Sequence, residues 1–332
     1  MQSNNLTVVT GASGHVGANL VRELLLKGRK VRVLVRKDRR ALEGLPVEAV
    51  EGDVLDKESL VRAFAGADVV YHLAALISIT GGQGGLVEKT NVNGAANMVS
   101  AALECKVRRV VHFSSIHAYR GHDNRDKVID ETTETALGPE NLAYDRSKAM
   151  GELEVLKGVK AGLDAVIVNP TSVIGPYDFK PSRMGQLFLD LYNRKIPALV
   201  DSGYNHVDVR DLAAGAMLAE ERGRTGEKYL LSGEWRHFRE LSETVEKVTG
   251  RKTTKSCAPL WAAAMAAPFA YGWAKLTGAP VLFTPESIKI LRGHRHISCA
   301  KAERELGYTR RPFEETVRDI YAWYRSAGII KD

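Results

Sequence analysis

Short apolar runs alternate with segments of helical period through the first two-thirds of the chain. The runs at 6–9, 31–35, 47–50, 69–73, 110–113, 165–168 and 228–231 read as strands. Segments 18–27, 57–65, 86–104 and 141–160 carry apolar residues at helical spacing and read as the helices between them. That alternation predicts an α/β core, a doubly wound parallel sheet covered on both faces. After Asn169-Pro170 the pattern loosens into Gly175-Pro176-Tyr177-Asp178, with further prolines at 181 and 197, and becomes regular again over 207–218. The predicted organisation is a core from 1–175, to which 205–234 returns, with a smaller, discontinuous C-terminal substrate lobe made of 176–204 and 235–332. Within that lobe, 256–274 has no charge and holds Trp261, Phe269, Tyr271 and Trp273, broken by Pro259 and Pro268. Two prolines make it a poor spanning helix, so it is read as a packed lobe helix that walls an apolar pocket, with membrane-surface contact as the competing reading.

A chain of 332 residues, 44% hydrophobic, can bury one large core and an appended lobe. Formal net charge is +7, but lysines and arginines are spread among many acids. No basic-aromatic module appears, so no nucleic-acid partner is expected. The N-terminal stretch has no charged-then-apolar leader, and no strongly apolar run of spanning length follows. A cytoplasmic protein without a spanning membrane segment is expected. Cys105, Cys257 and Cys299 are too scattered for a disulfide framework or a metal cluster, and no metal is expected.

The first strand runs directly into TGASGHVG, Thr10 to Gly17, and then a helix. Gly11 permits the tight reversal, Gly14 lets the backbone approach a pyrophosphate, and Gly17 lets helix and sheet pack closely. Exposed N–H groups at the positive helix end supply the attraction for an anion. Further along, Tyr144 and Lys148 stand four apart in YDRSK, on one face of a predicted helix. A lysine cation beside a phenol favours phenolate and is expected to lower the tyrosine pKa toward the working range, making Tyr144 a candidate acid/base. Ser114 and Ser115 end the strand at 110–113, where their hydroxyls face the same crevice.

These features, with Asp53 in GDVLD, His72-Leu73-Ala74-Ala75, VNPTSVIGPYD from 168 and KAERELGY from 301, resemble the extended short-chain dehydrogenase/reductase family. The likeness is greatest to the branch holding dihydroflavonol 4-reductases and 3β-hydroxysteroid dehydrogenases, and to bacterial NAD-dependent epimerase/dehydratases. It implies a Rossmann core. It also implies that Tyr144 exchanges a proton with the substrate oxygen, that Lys148 binds the nicotinamide ribose, that Ser115, with Ser114 as the alternative, orients the carbonyl, and that Asn91 of TNVNG orders the site. Gly11, Ser13, Gly14, His15, Val16 and Gly17, then Asp53 with Val54, Ala74, Ala75, Tyr144, Lys148 and Pro170, would contact the cofactor. Asp53 would meet the adenine amino group, and Ala74 and Ala75 would flank the ribose.

The second strand ends Val35-Arg36-Lys37 without an acid, and Arg39 and Arg40 follow. A basic residue there accommodates a 2′-phosphate, so NADP(H) is favoured over NAD(H); Asp38 is an exposed loop residue or, in a shifted register, a ribose ligand. The implied activity is interconversion of a ketone and a secondary alcohol on a bulky, largely apolar small-molecule substrate. A nucleotide-sugar epimerase is the alternative, with Arg183, Arg210 or Arg295 binding its phosphates. A dehydratase is disfavoured because Ile116-His117 replaces the Asp-Glu that follows the active-site threonine in such enzymes. A non-catalytic NADP(H)-binding redox sensor is disfavoured because the Tyr–Lys pair is present. Related enzymes often pair through the helices at 86–104 and 141–160, so the resemblance allows a homodimer and leaves the oligomeric state open.

Overall fold

A computed structural model describes residues 6–78, 81–121, 127–277, 285–293 and 295–331. Its centre is a seven-stranded sheet: β1 (Leu6–Thr10), β2 (Lys30–Val35), β3 (Glu48–Glu51), β4 (Val69–His72), β5 (Arg109–Phe113), β6 (Ala165–Pro170) and β9 (Lys228–Leu231). The spatial order is β9-β6-β5-β4-β1-β2-β3, and every pairing is parallel. The order reverses direction at β1 and β4, and ligands of such sheets lie at the C-terminal strand ends beside that reversal.

Neighbouring residues of the central strands are buried in turn on opposite faces, which is why their apolar runs are continuous. Val9, Val69, Val111 and Val168 meet Leu20 and Leu24 of α1 (His15–Leu26) and Leu212 and Ala216 of α6 (Val209–Arg222). Val8, Val70, Val110 and Ile167 meet Leu60 and Phe64 of α2 (Lys57–Phe64), Met98 of α3 (86–104) and Val155 of α4 (Ala143–Lys160). The helix at 86–104 is not uniform, for a π-helical turn at Lys89–Asn93 interrupts it.

A second core gathers Phe188 from α5 (Arg183–Tyr192), Leu241 from α7 (Phe238–Thr249), and Tyr321 and Tyr324 from α10 (Phe313–Ser326). The helix α5 sits in the stretch expected to be loop-rich. Ser182 starts it by accepting from the Gly185 N–H at 3.1 Å, and Phe188, Leu191 and Tyr192 supply its buried face. Between the cores, β7 (Ser172–Ile174), β8 (Gly203–Asp208) and β10 (Glu234–His237) form a three-stranded sheet, so the regular pattern at 207–218 is a strand followed by a helix. Near the C-terminus the packing and the expected lobe boundary differ: Cys299, Ala302, Leu306 and Tyr308 pack into the core around the large sheet, with α9 (Ala300–Leu306) against α6.

The uncharged segment forms α8 (Leu260–Thr277) with Pro268 inside it. Leu260, Ala263, Ala264 and Ala267 pack on the second core, while Trp261, Met265 and Phe269 are exposed. The side chains of Tyr271 and Trp273 lie outside the described ones. No described helix is long and apolar enough to cross a membrane.

Candidate active site

The turn after β1 is built as a cradle. Gly11 has φ +71°, and a Cβ there would meet the Ala74 nitrogen at 2.8 Å, so this glycine lets the turn touch the end of β4. A Cβ on Gly17 would lie 2.3 Å from the Gly11 oxygen. Gly14 is exposed, and only the Gly11 oxygen, at 3.3 Å, stands near its missing Cβ. It forms the N-cap of α1 without any side-chain cap, and the first turn holds no acid. This open, positive helix end fits a pyrophosphate. The Ser13 hydroxyl donates to the Asp38 carbonyl at 2.7 Å, tying the turn to the loop after β2. The His15 ring contacts the Pro176 oxygen at 3.0 Å, which Asn19 also reaches, so the helix start is anchored to the chain entering the second lobe. Val16 packs on the core.

At the other end of the cradle, Arg36 and Asp53 approach to 3.9 Å, both substantially exposed. Asp38 is taken by Arg40 at 2.7 Å, and that guanidinium holds its carboxyl down at about 2. Val54 is buried against Gly94. Ala74 and Ala75 follow β4 on the exposed side of the strand end, and Pro170 ends β6.

Tyr144 stands on α4, and Ser115, which follows β5, accepts from the His117 backbone N–H at 3.2 Å. The Ser114 hydroxyl is buried without a hydrogen-bond partner among the described residues. Lys148 donates to the Phe113 carbonyl at 2.8 Å and is buried. Asn91 clamps the chain after β4, receiving the Leu76 N–H at 2.8 Å and donating to the Leu76 carbonyl and to Ser147.

The expected effect of lysine on tyrosine is not what the packing produces. Burial pushes the Tyr144 phenol up to about 12, with Ser115 opposing and Asp145 adding to the rise. The same burial brings Lys148 down to about 8. The four-residue spacing puts both groups on one face but carries no information about desolvation, which dominates here. Tyr144 is therefore a protonated acid near neutrality, suited to giving a proton to a developing alkoxide. Between about pH 8 and 10.4 the unfolded chain retains the Lys148 proton that the folded chain has released, so stability rises with pH there. In denaturant titrations from pH 7 to 9.5, wild type should gain ~2 kcal/mol relative to Lys148→Met, since each tenfold difference in proton affinity between folded and unfolded chain is worth about 1.4 kcal/mol. Parallel curves for the two proteins would contradict the burial effect.

Several residues of the site were not anticipated. Asn169 donates to the Ser115 carbonyl at 3.0 Å and to Glu152 at 2.6 Å, and Glu152, itself buried, pairs with Lys228. This polar scaffold fixes the strand end that carries Ser115. Glu152 follows Tyr144 and Lys148 at the same four-residue step, a signal available in the sequence. His117 meets Asp145 at 2.9 Å.

Turn, strand ends and the Ser–Tyr–Lys group together define a dinucleotide-dependent oxidoreductase of the short-chain dehydrogenase/reductase type. Residues 7–232 match the NAD dependent epimerase/dehydratase family, and the chain belongs to that family. It is 34% identical over 336 residues to sterol demethylase protein B of Methylococcus capsulatus, covering 98% of this chain and 99% of that one. A putative dihydroflavonol 4-reductase of Synechocystis is 34% identical over 337 residues, with 97% and 95% covered. The crystal structure of gox2253 superposes with a TM-score of 0.84 at 34% identity, over 98% of this chain and all of that one.

Proposed function

We propose that the protein reduces a ketone on a bulky, largely apolar substrate to the secondary alcohol, with NADP(H) as the preferred cofactor. The observation that carries this reading is the burial of Tyr144, Ser115 and Lys148 at the C-terminal end of β5, with Lys148 bonded to the Phe113 carbonyl, in the parallel sheet whose β1 ends in the glycine turn. When bound, the nicotinamide supplies the hydride. Tyr144 gives the proton, Ser115 holds the carbonyl oxygen against it, and Lys148 anchors the ribose side of the site. The apolar substrate agrees with relatives named sterol demethylase protein B and putative dihydroflavonol 4-reductase. Of the cations offered for the epimerase alternative, Arg210 is held by Asp208 and Asp319 at 2.7 and 2.6 Å and Arg295 lies over the Trp235 ring at 4.4 Å, while Arg183 begins α5 with an exposed side chain.

The test is NADPH oxidation with dihydroquercetin, a 3-ketosteroid and an aryl ketone. Consumption with a ketone supports a reductase, and redox-neutral conversion of a nucleotide sugar instead would overturn it. The NADPH preference rests on Arg36, the residue at the end of β2. Losing a hydrogen bond to a charged group costs about 1.5–3 kcal/mol, or about 10–100-fold. Arg36→Ala should weaken NADPH binding by that factor and leave NADH binding nearly unchanged, as read by nicotinamide fluorescence.

A further inference from the structure

Asp145 is fully buried next to Tyr144, and a buried carboxylate there opposes ionisation of the phenol. Its partner is His117, whose Nδ1 lies 2.9 Å from the carboxylate and whose ring meets the Tyr144 ring edge-on, centroids 5.3 Å apart. The His117 backbone N–H also donates to the Ser115 hydroxyl at 3.2 Å, which fixes that serine beside the ring. Three groups of one proton network are thus packed together. Lys148, on the same helix as Tyr144, is buried and bonded to the Phe113 carbonyl, whereas the His117 side chain keeps 19% of its surface exposed.

We propose that His117, oriented by Asp145, returns a proton to Tyr144 after each reduction. The inference rests on the reductase reading above. In the reduction the Tyr144 O–H bond breaks as the substrate O–H bond forms, leaving a phenolate. The imidazolium N–H of His117 then breaks and the phenol O–H re-forms, directly or across the Ser115 hydroxyl, and water reprotonates the imidazole. Asp145, 2.9 Å from Nδ1, fixes the ring in place beside Tyr144. His117 acts through Tyr144 and is a positioning and relay residue, not a group that touches the substrate.

The experiment compares the first turnover with later ones by stopped flow, using NADPH and whichever ketone of the panel wild type reduces. In His117→Ala the first turnover should keep its wild-type rate, because Tyr144 begins protonated, while later turnovers slow by about tenfold or more, within the usual range for acid–base assistance. Added imidazole should restore them, and Asp145→Asn should show the same slowing without rescue. Independently of turnover, in protein labelled with 13C-tyrosine, the Cζ resonance lost in Tyr144→Phe should ionise at higher pH in His117→Ala. Equal slowing of first and later turnovers without imidazole rescue, or rates and ionisation unchanged from wild type, would overturn the relay. A wild type that oxidises NADPH with none of the ketones would overturn the reductase reading itself, and the relay with it.

Discussion

Tyr144→Phe is expected to lower kcat by about 10²–10⁴-fold, the usual worth of a positioned acid, with little change in dinucleotide affinity. The substitution removes one oxygen and keeps a ring that is buried and packed edge-on against His117. The fold should therefore hold, and the loss falls on the step in which negative charge appears on the substrate oxygen. Ser115→Ala removes the partner hydroxyl and should cost less, since Tyr144 can still reach the oxygen. If kcat in Tyr144→Phe stays within a few-fold of wild type while Ser115→Ala is severe, the proton comes from another group.

The second large effect is at the glycine turn, where two neighbouring glycines should fail in different ways. An added Cβ at position 17 would lie 2.3 Å from the Gly11 oxygen and 2.7 Å from the Ala12 Cα, so Gly17→Ala must push α1 away from the turn. Overpacking of this kind costs ~1–3 kcal/mol and should lower Tm as well as binding. At position 14 only the Gly11 oxygen, 3.3 Å away, crowds the new Cβ, so Gly14→Ala should lower Tm less than Gly17→Ala and still obstruct an approaching pyrophosphate. A binding loss of ~1–3 kcal/mol corresponds to about 5–150-fold in Kd. Calorimetry of NADP+ binding beside thermal melts separates the two variants. Unimpaired binding in Gly14→Ala would place the dinucleotide somewhere other than the turn.

The parts of this molecule that depend on neighbours in sequence are legible from the chain alone. Residues 69–73 and 110–113 read as strands because burial on both faces leaves no polar alternation, and the Thr10 to Gly17 turn reads as a cradle because each glycine answers a separate close approach. The four-residue step from Tyr144 to Lys148 places them on a shared face. What stays hidden depends on distance or on burial. Glu152 meets Lys228 and His117 meets Asp145 only through tertiary packing, and no local period announces either pair. The direction in which the Tyr144 phenol moves also follows from packing, because desolvation outweighs the polar neighbours once the phenol is enclosed. The helix Arg183–Tyr192 is obscured by prolines that mark its approach, Pro181 standing one residue before the Ser182 cap.

Hydride transfer at the crevice between the glycine turn and Tyr144 is the central claim, and its most direct measurement follows deuterium. NADPH deuterated at the transferring C4 position is incubated with enzyme and a ketone that drives its oxidation, and the product is examined by mass spectrometry and NMR. One deuterium per molecule on the carbinol carbon, with one equivalent of NADP+ formed, is the predicted result. Product carrying no deuterium, or label that remains with the cofactor while the substrate is converted, would contradict it.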